Sequence, residues 1–70
     1  MEKGYRFDTD DPEVGKEHYA FRTLADCMDF ANSQGKRGEM KIYEIEGYLV
    51  RDEGGPDGLV IRVRFFRRLE

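Results

Sequence analysis

The chain has 70 residues, of which 39% are hydrophobic and 39% charged, and its formal net charge is −3. Leu, Ile, Val and Phe fill 16 of the 70 positions, above the level of roughly 20% below which a highly charged chain stays disordered. One small folded domain fits this length, whereas two domains, a doubly wound nucleotide fold or a barrel enzyme do not.

Residues 4–9 open the chain with Tyr5 and Phe7 alternating against Arg6 and Asp8, the two-residue period of a half-buried strand. Asp10, Asp11 and Pro12 end it, because proline lacks a backbone donor and disfavours helix at the residue before it. After a polar loop, residues 18–22 place Tyr19 and Phe21 on one side of a second short extended segment. Thr23 then offers a helix cap, with Asp26 at the positive end of the helix dipole. Leu24, Cys27, Met28 and Ala31 follow at the spacing of one buried helix face. Gly35 supplies a residue suited to positive φ at the helix end. The predicted helix spans residues 24–34, too short to stand alone.

Lys36 to Glu39 reads as a turn. Residues 40–52 form a long strand, interrupted at Gly47 by a bulge or by the close approach of the helix backbone. Residues 53–58, dense in glycine, form a hairpin loop. Leu59–Arg68 is the strongest strand. The predicted architecture is α+β: an antiparallel sheet of three to four strands with one helix on one face, ββαββ or βαββ. Its core would be Tyr5, Phe7, Phe21, Leu24, Cys27, Met28, Ala31, Ile45, Leu49, Ile61, Val63 and Phe65. Leu69 and Glu70 read as a candidate tag remnant outside this fold.

The other face of the terminal hairpin carries Ile42, Glu44, Glu46, Tyr48, Val50, Val60, Arg62, Arg64, Phe66 and Arg68. Strict alternation sets Glu44 and Glu46 across from Arg62, Arg64 and Phe66. One reading is a solvated ladder of opposite charges, where each pair contributes about 0.2–1 kcal/mol. The other is a binding surface, since aromatic residues beside arginine are the composition of an interface centre. We take Tyr48, Val50, Arg62, Arg64, Phe66 and Arg68 as the candidate interaction residues, with a protein partner or another copy of the chain as ligand. A core of this size supplies only about 3–5 kcal/mol, so association is an expected source of stability. Nucleic acid is the alternative partner, stacking on Tyr48 and Phe66 with arginines at phosphates. The acidic pI near 5.1 and the glutamates in the patch count against it.

Little points to catalysis. His18, Cys27 and Ser33 are single copies of their residue types, too few for a zinc site or a serine-based catalytic set. The acidic run from Asp8 to Glu13 lacks the ligand alternation of a calcium loop, and the glycine-rich loop opens no helix that would hold phosphate. The expected protein is non-enzymatic, with no metal or cofactor. One lone cysteine fits a cytoplasmic compartment. No signal-peptide pattern and no apolar run near the roughly 20 residues of a membrane span is present.

Tyr5-Arg6, Phe21-Arg22-Thr23 and Glu44-Ile45-Glu46 together resemble the arginine–serine–glutamate pattern of ADP-ribosyltransferases. That resemblance implies NAD contacts from Arg6 and Thr23 and a catalytic carboxylate at Glu46. The middle serine is replaced by threonine here, and a dinucleotide pocket of roughly several hundred Å3 is hard to house in so short a chain.

Overall fold

The computed structural model describes every residue except Lys36 and the side chain of Arg37. Four strands and one helix follow in order: β1 (Glu2–Asp8), β2 (Glu17–Ala20), α1 (Leu24–Ser33), β3 (Lys41–Asp52) and β4 (Leu59–Arg68). This is the α+β arrangement expected, with four antiparallel strands and one helix. The turn expected at residues 36–39 is a single 3-10 turn over Arg37–Glu39, and Lys36 lies outside the described residues.

The strand order is β1-β3-β4-β2. The sheet curls until its two edge strands touch, and Tyr5 and Phe21 exchange backbone hydrogen bonds of 2.9 and 2.6 Å. Curling creates a concave face that must be filled by the sheet's own side chains, and this overturns the expectation of one core beneath the helix. Ala20, Tyr43, Ile45, Leu59, Ile61 and Val63 fill the inside, with Phe66 packed against them. Gly4 makes the close approach of strands there feasible, because a Cβ at that position would lie 2.6 Å from the Ala20 Cβ. A second cluster lies on the convex side under α1 and joins Phe21, Cys27, Ala31 and Ile42 with Tyr5, Phe7 and Leu69. Ile42, assigned by alternation to the face away from the helix, is therefore beneath it.

The helix begins as its cap predicts. Thr23 is extended, and its side chain accepts from the Asp26 N–H at 3.1 Å. Gly35, at φ 70°, follows the last turn. The small residues Cys27 and Ala31 face the sheet and are fully buried, which lets the helix lie close to the strands. Phe30 reaches over the rim to Phe7 and Phe21, with ring centroids 5.5 and 5.4 Å away. Leu24 and Met28, expected in the core, are exposed and half-buried. Leu69 and Glu70 belong to the fold, since the Leu69 N–H donates to the Ile42 carbonyl at 2.7 Å and the Glu70 carbonyl accepts from the Ile42 N–H at 3.0 Å.

Two bulges break the β3–β4 ladder. Glu46 pairs with Phe65 but Gly47 with Val63, so Arg64 is an extra residue in β4. Leu49 pairs with Ile61 but Arg51 with Val60, so Val50 is an extra residue in β3. Each extra residue reverses the in–out alternation beyond it. Gly47 is required at the first bulge, because a side chain there would overlap the Arg62 carbonyl. The close approach is made by the neighbouring strand and not by the helix.

Candidate functional site

The convex face of the hairpin keeps only part of the expected set together. Tyr48, Arg62 and Arg64 share that face. Phe66 and Arg68 do not: they lie past the Arg64 bulge, opposite Ile45 and Tyr43, and so turn to the inner side. The Phe66 ring meets Tyr43 edge-on at 5.9 Å. Phe65 takes the outward place and is 51% exposed. Val50 is the bulged residue of β3 and is exposed at its end of the strand. The facing pairs also shift by the bulge, so Glu44 sits across from Arg67 and Glu46 across from Phe65.

Most charges on this face are satisfied within it. Arg62 pairs with Glu17 on β2 at 2.8 Å, and Glu44 receives Arg67 at 3.4 Å and Lys3 at 3.7 Å. Arg51 reaches across the row to the Tyr19 ring, 6.0 Å from its centroid. Val60, between them in the register, is almost fully buried although it points outward. Arg64 differs. Its guanidinium lies 5.4 Å from the Tyr48 ring centroid and donates to the Tyr48 hydroxyl at 3.3 Å. Among the described residues neither Arg64 nor Glu46 has an ion-pair partner. Tyr48, 53% exposed, Phe65, Arg64 and Glu46 thus form a small amphipathic patch.

The concave side is organised around Tyr43, the largest fully buried side chain. Its hydroxyl donates to Asp11 Oδ1 at 2.6 Å, which ties the acidic loop to the inner cluster, and Pro12, the next residue, is buried. Burial and the Asp11 carboxylate push the Tyr43 hydroxyl up to about 12. A raised value means that the folded state holds the neutral phenol. That contribution is intact below the ordinary value near 10 and is lost as the pH climbs from 10 to about 12. We expect unfolding free energy to fall across that window, and Tyr43→Phe to remove that component of the fall. Denaturant titrations at stepped pH measure both.

Other polar groups of the loop are also engaged. Asp8 accepts from Arg6 at 2.7 Å and from the Thr9 N–H at 2.7 Å. Burial works against its ionisation, but these donors outweigh it and hold its carboxyl below the usual value. Burial, with the Arg6 charge, depresses His18, whose Nε2 accepts the Glu13 N–H at 3.3 Å.

The three residues of the transferase resemblance are not gathered. Arg6 lies on the inner side of β1, Glu46 on the convex side of β3, and the Thr23 side chain caps the helix. A cleft of about 210 Å3 lies beside Arg6, Phe7, Tyr19, Ala20, Phe21, Phe30 and Asp57, smaller than the roughly 300 Å3 at which small-molecule sites begin. The sequence missed this cleft, because it exists only where the two edge strands meet. Among the described residues no helix is long and apolar enough to cross a membrane. No protein-family model, curated protein or solved structure matches the chain.

Proposed function

We propose that this chain is a non-enzymatic interaction module that binds a second copy of itself through the convex face of β3 and β4. The observation that carries this reading is the Tyr48–Arg64–Phe65–Glu46 patch: two half-exposed aromatics flank an arginine and a glutamate that have no ion-pair partners among the described residues, on a face whose neighbouring charges are paired. A two-fold interface brings the same patch to itself, so the Arg64 of one copy can meet the Glu46 of the other while the aromatic rings bury one another. A standard interface covers roughly 800 Å2 per partner, about a fifth of the 4321 Å2 surface of this chain. Sedimentation equilibrium up to high micromolar concentration tests the proposal. A concentration-dependent dimer that Phe65→Asp returns to monomer supports it, and a strict monomer overturns it.

Nucleic acid is less well supported, because Arg62 and Arg67 are already neutralised by Glu17 and Glu44 and a phosphate would have to displace those carboxylates. We expect no retardation of single- or double-stranded oligonucleotides at low salt in a gel-shift assay.

A further inference from the structure

The seam between β1 and β2 is closed at one point and open beyond it. Tyr5 turns both its N–H and its carbonyl away from β3 to meet Phe21. Backbone groups alternate along an antiparallel strand, so Phe7, two residues on, also turns its N–H and carbonyl away from β3. Its β3 partner agrees: the Ile42 N–H and carbonyl are both taken up by residues 69 and 70. On the other side Tyr19 has the same orientation as Phe21. Its carbonyl accepts Arg6 Nη1 at 2.8 Å, which leaves its N–H at the seam. Arg6 Nη2 is held by Asp8, while Arg6 Nε is buried with no acceptor among the described residues.

This stretch of seam lies along the 210 Å3 cleft, where Phe7, Phe21 and Phe30 form an aromatic wall with centroids 5.4 to 6.3 Å apart. Asp57, from the hairpin loop, stands at its edge with no ion pair among the described residues. Arg6 is already neutralised by Asp8, so the charge offered by the cleft is that of Asp57. The combination describes one kind of occupant: a backbone to pair with strand-edge groups, one bulky apolar side chain, and a neighbouring positive charge.

We propose that the seam cleft binds a short extended peptide segment of a second protein, with one large apolar side chain on the Phe7–Phe21–Phe30 wall and a basic residue beside it facing Asp57. The peptide residue opposite Phe7 exchanges two backbone hydrogen bonds with it, in the manner of strand addition at a sheet edge. The size of the cleft suits one side chain, and the site is separate from the self-association patch on the hairpin.

The test is a titration of the isotopically labelled full chain, followed by amide resonances. The probe is a blocked Ala-Val-Phe-Lys-Val pentapeptide, with two controls in which Ala replaces its Phe or Glu replaces its Lys. Saturable shifts of the Phe7 and Tyr19 amides are expected, together with slower exchange of both. The alanine peptide should bind at least about tenfold more weakly, because it gives up the ring that the aromatic wall would bury. The glutamate peptide should bind more weakly than the probe, and Asp57→Lys should reverse that order without touching the core. Phe30→Ala should weaken the probe about tenfold. Absence of shifts at Phe7 and Tyr19 at about 1 mM peptide, shifts confined to Tyr48 and Phe65, or equal affinity for the alanine control would each overturn the proposal.

Discussion

Gly47→Ala should leave the domain largely unfolded at room temperature. Gly47 sits at the bulge where β3 and β4 change register, and a Cβ there would overlap the Arg62 carbonyl and crowd the Arg64 nitrogen. Both atoms are backbone, so no side-chain rotation relieves the overlap. The strands would have to separate at the centre of the sheet, beside Ile45, Ile61 and Val63, all fully buried. A domain of this size holds only about 3–5 kcal/mol in reserve, and a clash that parts two central strands costs on that order. Gly38→Ala is the control, since a Cβ there meets nothing within 4 Å among the described residues, and a change of less than about 0.5 kcal/mol is expected. Circular dichroism and denaturant titration of both variants decide the matter. Native stability in Gly47→Ala would mean that the two strands do not approach as closely as described.

Local chemistry made several elements legible. Thr23 as helix cap, Gly35 after the helix end, the glycine-rich hairpin loop and the limits of β4 all depend on neighbours within a few residues. What alternation does not reveal is the curl of the sheet. That depends on Tyr5 meeting Phe21 and on β2 pairing with β4, contacts between segments far apart in sequence. Once the sheet curls, both of its faces bury apolar residues, and a single-core reading assigns Ile42 to the wrong surroundings. The bulges are the second reason. Arg64 is an ordinary strand residue by type, and only Gly47 on the opposite strand hinted at an interruption. The candidate surface was therefore legible as far as Tyr48, Arg62 and Arg64, which precede or occupy the bulge, and misplaced at Phe66 and Arg68, which follow it. The seam cleft left no local sign, because Arg6 and Phe7 gain their meaning from Tyr19 and Phe21 across the closure.

The adjacent pair Phe65 and Phe66 gives the sharpest test of this account, because two identical residues differ only in the side of the sheet they face. Phe66→Asp should cost about 3 kcal/mol or more: it removes a ring packed on Tyr43 and Ile45 and sets a carboxylate against the inner cluster. With so small a reserve, most molecules should be unfolded. Phe65→Asp removes a half-exposed ring from the convex face and should shift monomer stability by less than about 1 kcal/mol. The new carboxylate then lies in the self-association patch, so the proposed dimer should be lost while the fold persists. Denaturant titration at a concentration low enough to hold both variants monomeric separates folding from association. If the two outcomes exchange places, the β4 alternation runs unbroken, the Arg64 bulge is absent, and the binding surface must be rebuilt around Phe66.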